Sequence, residues 1–335
     1  MSIKITAGVL MKTVFIVNPM AGKKNNIEKL IECIKLAGER LRIDIEIYKT
    51  CAVGDATRFV KEFCKKHQKV RFIACGGDGT LCEVLNGAFE FEGTEIGVLP
   101  IGTGNDFVKN FDGDFNDIEA QILSGSEKCD AIKYTTTDTD GTLKTGYCAN
   151  MFNIGFDCNV ADAMREMKKK PFVSGSLAYI LAIFATLIKK NGADLEIDID
   201  GEKKHQGKLL LTSIANGCFC GGGIKSNPLA SVHDGLMNVN IVYNVSRLKF
   251  IKLLPHYMKG THLSLSGIDK IINNAGCKRI TIRPEGSFMR ICTDGEIISA
   301  GETTFEILHD AFSFVIPKNS DNAQSLTKHC EVATR

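Results

Sequence analysis

The chain has 335 residues, a formal net charge of +2 and a sequence pI near 7.9, which is long for one hydrophobic core and comfortable for two. So small a net charge excludes a strong field toward nucleic acid. The thirteen cysteines follow no disulfide-framework spacing and no secretory signal precedes them, so reduced cytosolic thiols are expected; without a Cys-x-x-Cys or His-Glu-x-x-His pattern, no structural zinc site is expected either.

In chain order, residues 1–10 carry one lysine and an apolar stretch too short for a signal peptide or a membrane span. They read as a disordered extension, or as a misassigned start before Met11. Residues 13–17 form a β-type run ending in Asn18-Pro19-Met20-Ala21-Gly22-Lys23. Residues 27–40 read as a helix, 43–48 alternate as a strand, and 55–66 continue helically from a cap at Gly54 or Asp55. The apolar run 70–74 enters Cys75-Gly76-Gly77-Asp78-Gly79-Thr80, after which Leu81, Val84, Leu85 and Phe89 recur at helical spacing. Residues 96–99 lead into Pro100-Ile101-Gly102-Thr103-Gly104-Asn105-Asp106, and a short helix follows near 117–123.

The 76–80 loop is the most informative of these segments. Its three glycines let the backbone approach a ligand and aim amides at it from a helix N-terminus. A bare carboxylate would repel phosphate, so Asp78 fits such a loop if it reaches a magnesium ion or takes a proton from an attacking hydroxyl. The competing reading is a plain tight turn. Neither the Walker template nor the dinucleotide fingerprint matches. Loops 18–23 and 100–106 also follow apolar strands and precede helix-compatible segments, the rhythm of a parallel sheet whose loops meet at one edge.

From about Cys129 the pattern changes. Strand-like runs at 129–137, 145–154, 194–200, 207–216, 237–243, 278–283 and 288–293 follow one another with few helices, which predicts an antiparallel sandwich. Two helical segments interrupt it. Residues 176–188 are apolar and too short to cross a bilayer; they read as a buried helix, or as a membrane- or acyl-facing one helped by Lys168-Lys169-Lys170. Residues 246–259 read as a solvated amphipathic helix with Leu248, Ile251, Leu254 and Met258 on one face. Ser231-Val-His233-Asp234-Gly235-Leu236 and Asp294-Gly295-Glu296 each read on spacing alone as a turn between strands. The run 303–307 is the last strand, and 311–316 follows it.

Taken together, Asn18-Pro-Met-Ala-Gly22, Gly76-Gly-Asp-Gly-Thr80 with Glu83 and Asn86-Gly87, Pro100-Ile-Gly-Thr-Gly-Asn-Asp106 and Asp294-Gly295-Glu296 resemble the diacylglycerol kinase catalytic domain family, which includes sphingosine and ceramide kinases and soluble bacterial lipid kinases. The resemblance runs from about Lys12 to about Pro317. It implies an α/β fold: a Rossmann-like N-terminal domain of the phosphofructokinase and NAD kinase type, and a C-terminal antiparallel β-sandwich. The implied division is 11–128 plus about 306–318 for nucleotide, 129–305 for lipid, and a flexible tail at 319–335.

The resemblance further implies an ATP-dependent, Mg2+-requiring lipid kinase acting on a hydroxyl of a diacylglycerol-like lipid. Asn18, Pro19, Gly22, Thr50, Gly76, Gly77, Asp78, Gly79, Thr80, Glu83 and Thr103 would hold ATP, with Lys23 or Lys24 meeting phosphate charge. Asp234, with carbonyls of Ser231 and Leu236, would hold a structural magnesium ion, an all-oxygen set suited to a hard cation; His233, a softer donor, is left out. Glu296 or Asp294 would be the general base, with Asp78 the rival. The implied partner is a lipid substrate at a membrane surface, met by transient peripheral contact from the cytoplasm, with no nucleic acid; the sequence leaves the oligomeric state open, a homodimer included. NAD kinase and a catalytically silent nucleotide- or lipid-binding regulator are the alternatives.

Overall fold

The computed structural model describes residues 11–22, 26–167, 182, 186, 192–293 and 296–318. The readings for residues 1–10, Lys23, Lys24, Lys168 to Lys170, nearly all of 176–188, Asp294, Gly295 and 319–335 lie outside the described residues.

Four apolar strands build the first unit. β1 (Lys12–Val17), β2 (Ile45–Lys49), β3 (Val70–Gly76) and β4 (Thr94–Pro100) lie in the order β2-β1-β3-β4, all parallel. Their connections carry α1 (Ile27–Leu41), α2 (Asp55–Cys64) and α3 (Asp78–Ala88). Every residue of β3, and all of β1 except Lys12, is buried, as in a sheet covered on both faces. Ile27, Leu30, Ile31 and Ile34 of α1 repeat at helical spacing and join Phe15, Val17 and Ile73 in one core. The unit comprises residues up to Gly102, Phe111–Lys128 and those from Phe312 onward. Within it Ser313 and Phe314 pair in parallel with Glu95 and Ile96. The buried Arg71 on β3 donates to Glu95 at 2.9 Å and to the carbonyls of Gln121 and Ile122 on α4 (Ile118–Leu123) at 3.0 and 2.6 Å. Its buried charge is therefore compensated, and breaking one partner would leave it stranded.

The second unit comprises Thr103–Asn110 and Cys129–Ala311. It holds β5 (Ser126–Thr137) from Cys129 onward, β6 (Leu143–Cys148), β7 (Met151–Gly155), β8 (Ala193–Ile199), β9 (Glu202–Leu209), β10 (Leu211–Ala215), β11 (Met237–Val242), β12 (Ile272–Cys277), β13 (Arg279–Pro284), β14 (Met289–Thr293), β15 (Glu296–Ala300) and β16 (Thr303–Val315) as far as Ala311. One sheet runs β12-β11-β10-β7-β14-β15, antiparallel throughout. In the other layer β9, β8, β13 and the start of β16 are antiparallel neighbours, with β5 pairing β16 and β6. Alternate residues Met237, Val239 and Ile241 of the first sheet and Ile197, Ile280, Ile282 and Phe305 of the second meet in one core, the arrangement of a two-layer sandwich. The opposite face of β11 presents Asn238 and Asn240, which Asn227, Asn274 and Ser226 satisfy. α5 (Phe156–Met167) and α6 (Arg247–Lys259) pack on a second core with Met151, Leu211 and Val242.

Several expected runs resolve differently. The run 145–154 breaks at Ala149 and Asn150, where the Asn150 carbonyl accepts Asn216 and Gly217 amides at 2.8 and 3.1 Å. The run 207–216 breaks at Leu210, which donates to Val242. Residues 303–307 and 311–316 belong largely to one strand, continuous through Asp310 at φ +52°. Helix α6 buries an arc different from the one expected. Phe250, Leu253, Leu254, Tyr257 and Met258 pack inward, while Leu248 is 75% exposed and Ile251 41%. The expected face combined residues from both sides of the helix.

Candidate nucleotide and phosphoryl-transfer site

The strand order sets the site. The chain leaves β1 for β2 on one side and returns to β3 on the other, so β1 and β3 flank the topological switch point where open parallel sheets bind ligands. The loops after these strands are tied together there. The Asn18 amide nitrogen donates to the Cys75 carbonyl at 3.0 Å, and its side chain donates to Thr80 Oγ1 at 3.1 Å. Asn18 Oδ1 accepts from Met20 N at 2.9 Å, folding Asn18 to Gly22 into a tight turn. Gly22 has φ +69°, and a Cβ there would stand 3.1 Å from the Ile101 carbonyl oxygen. Gly102 N donates to Gly76 O at 3.1 Å, and Thr50 N donates to Val17 O at 2.9 Å.

Gly76 cannot be any other residue without displacing α3: its Cβ would lie 2.1 Å from Thr80 Oγ1 and 2.5 Å from Thr80 Cβ. Gly77 is the extended N-cap, its carbonyl accepting from Thr80 N and Leu81 N. Asp78 and Gly79 open the helix, half-buried. The helix dipole favours a carboxylate or a phosphate at this end. The structure thus gathers Asn18, Pro19, Gly22, Thr50 and the 76–80 loop within the first unit.

Glu83 has a different local role. Its Oε1 accepts from Gly54 N at 3.0 Å and its Oε2 from Ala56 N at 3.1 Å, while its carbonyl accepts from Thr57 Oγ1 at 2.9 Å. Both carboxylate oxygens cap the start of α2, which its left-handed N-cap Gly54 leaves without a side-chain cap. Gly87 makes the pairing close, since a Cβ there would meet Thr57 O and Val60 Cβ at 2.8 Å. Asp55, read from the sequence only as a possible helix cap, is a buried hub. It accepts from Cys51 N, the Tyr48 hydroxyl and Arg58, and these donors, led by the Cys51 amide, hold its carboxyl well below the usual range.

In the second unit Thr103 is exposed and opens the 103–110 segment. Buried Asp106 accepts from Lys109 Nζ at 2.6 Å and from Gly222 N at 2.9 Å, and Asn110 Oδ1 accepts from Cys218 N at 2.8 Å. These bonds fasten the segment to the 217–223 loop. Glu296 is exposed at the start of β15, opposite Thr293. The 231–236 turn is shaped by Asp234 Oδ1, which accepts from Leu236 N at 3.0 Å, and by Ser231 Oγ, which accepts from His233 N at 3.3 Å. Asp234 remains exposed. Beneath the turn, wholly buried Asp130 accepts from Gly235 N, His309 Nδ1 and Asp310 N, and donates its own amide to Val232 O. Asp130, His309 and Asp310 are the group whose ligand atoms cluster closely enough for a metal among the described residues. The exposed Asp234 carboxylate in this turn is an oxygen donor of the hard type that Mg2+ takes. The eleven cysteines from Cys51 to Cys292 are free thiols.

Comparison with known proteins agrees with this architecture. Residues 12–135 match the diacylglycerol kinase catalytic domain family, and 150–316 match the YegS C-terminal NAD kinase beta sandwich-like domain. The chain is 26% identical to the diacylglycerol kinase of Bacillus subtilis, over 90% of this chain and 95% of that one. It is 32% identical to the lipid kinase YegS of Escherichia coli, over 66% of this chain and 71% of that one. A diacylglycerol kinase structure from Bacillus anthracis superposes with a TM-score of 0.64 at 21% identity, covering 91% of this chain and 96% of that one. Yeast NADH kinase gives a TM-score of 0.52 at 10% identity, covering 93% and 84%, a likeness of fold alone.

Proposed function

This chain belongs to the diacylglycerol kinase catalytic domain family of lipid kinases, and on that premise we propose that it transfers the γ-phosphoryl group of ATP to a hydroxyl of a diacylglycerol-like lipid, giving phosphatidic acid or a related phospholipid. The observation that carries the reading is the glycine loop at the β1/β3 switch point, where Asn18, Gly76 and Thr80 are locked together and a helix N-terminus is available for phosphate.

In this reading Asn18, Pro19, Gly22, Thr50 and the 76–80 loop hold the triphosphate. Mg2+ would neutralise charge on the phosphates during transfer. A second, structural Mg2+ would rest on Asp234 and the carbonyls of Ser231 and Leu236. The lipid hydroxyl oxygen bonds to the γ-phosphorus as the bond to the ADP oxygen breaks, and the hydroxyl proton goes to Glu296 or Asp294, with Asp78 orienting the phosphate end. Glu83 serves by fixing the start of α2 beside the Thr50 loop. The enzyme works from the cytoplasm at a membrane surface, since its acceptor is a lipid; among the described residues no helix is long and apolar enough to cross a membrane.

The test is transfer of radiolabelled γ-phosphate to dispersed diacylglycerol, with NAD offered in parallel. Labelled lipid, lost in Asp78→Asn and Glu296→Gln, is the expected result. Labelled NADP instead would make the protein an NAD kinase. No turnover with any acceptor would make it a silent binder.

A further inference from the structure

The outer face of α6 has no use in the reaction above. The helix is well formed: Ser246 caps its start, its side chain accepting from Lys249 N, and Gly260 at φ +71° closes its end. Its inner arc of Phe250, Leu253, Leu254, Tyr257 and Met258 anchors it to the sandwich. The other arc brings together Leu248, Ile251, Lys252, Pro255 and Lys259, all exposed, flanked by Lys249.

Two features separate this arc from an ordinary solvated face. Leu248, 75% exposed, and Ile251, 41% exposed, lie a turn apart where a surface helix normally carries polar residues. No acidic residue occurs from Ser246 through His262, and Lys249, Lys252 and Lys259 make no ion pair among the described residues. The helix thus carries an uncompensated cationic face on a chain whose net charge is only +2. A thirteen-residue helix is too short to span a bilayer. A helix anchored on one side and bearing exposed aliphatic side chains among uncompensated lysines has the chemistry of an interfacial element: the aliphatic groups enter the headgroup boundary while the lysines snorkel to lipid phosphates.

We propose that the outer face of α6 docks this protein on an anionic lipid bilayer. The proposal builds on the lipid-kinase reading, giving the enzyme a surface by which to reach a membrane-embedded acceptor, yet docking itself requires neither ATP nor catalysis. Each lysine near an anionic surface contributes about a fivefold gain in partitioning, so three contribute about a hundredfold, and this gain shrinks as salt rises.

The experiment is co-sedimentation of the full chain with phosphatidylcholine vesicles, with and without phosphatidylglycerol. The wild type is expected to sediment with the anionic vesicles, to be released at high salt, and to ignore neutral ones. Lys249→Gln/Lys252→Gln/Lys259→Gln should lower anionic partitioning about a hundredfold, and Leu248→Ser/Ile251→Ser should lower it further. Both variants should keep wild-type Tm and wild-type turnover of detergent-dispersed diacylglycerol, because every changed side chain is exposed. Wild-type sedimentation by both variants, or a wild type that turns over dispersed lipid but ignores anionic vesicles, would overturn the proposal. Vesicle binding without phosphorylation of any lipid would instead overturn the kinase reading and leave the docking surface standing.

Discussion

Replacing Glu83 separates two roles that its place near the glycine loop confounds. Both of its carboxylate oxygens accept backbone amides, Gly54 N at 3.0 Å and Ala56 N at 3.1 Å, at the positive end of α2. A side-chain cap of a helix N-terminus contributes about 1 kcal/mol, and a carboxylate adds about 0.3–1 kcal/mol through the dipole. Glu83→Ala should therefore destabilise the ligand-free protein by about 1–2 kcal/mol, lowering the Tm of the first unit by about 2–8 °C. Glu83→Gln keeps one acceptor but turns an amide NH2 toward a backbone donor, so its loss should fall near half of that. Thermal unfolding without nucleotide is the assay, because a residue whose sole task is to touch ATP would leave ligand-free Tm unchanged. An unshifted Tm in both variants, with KM for ATP raised, would refute the capping role.

Gly76→Ala should destabilise by about 1–3 kcal/mol through overpacking and abolish the rise in Tm that ATP confers; Thr80→Ala in addition should not rescue it, since the Thr80 Cβ itself lies 2.5 Å from the new methyl. Burial pushes the Asp157 carboxyl up to about 6, so the fold favours its protonated form. That stability is complete below the ordinary value of 3.8 and is lost as pH rises through about 6. Asp157→Asn should accordingly raise Tm at pH 8, with the gain gone by pH 4. Burial holds the His262 imidazole below its ordinary 6.5. The neutral ring is the folded form, so stability is full above about 6.5 and declines as pH falls toward the folded value. His262→Phe should flatten that acid-side decline in Tm, and an identical decline in the variant would refute the assignment.

What could be read in the chain follows the range of the signal. The glycine loop was legible because Gly76 marks a local demand, the close approach of Thr80, and the β1, β3 and β4 strands because both sheet faces are covered and their sequences are mostly apolar. β12 was not legible: Asn273 and Asn274 interrupt its apolar pattern, and they suit a strand only because Asn238, Asn240 and the strand β11 stand opposite. The break at Asn150 depends likewise on amides from Asn216 and Gly217, more than sixty residues away. The role of Glu83 was hidden for the same reason. Its spacing from Thr80 ties it to the phosphate loop, whereas its hydrogen bonds go to residues nearly thirty positions earlier. Asp130 carries the point furthest. As one acid in a β-type run it has no motif, yet its buried carboxylate joins the amides of Gly235 and Asp310, the first in the 231–236 turn and the second at a left-handed residue in mid-strand. The strained φ of Asp310 and the shape of that turn are thus stabilised by one side chain, whose partners only the folded sandwich brings together.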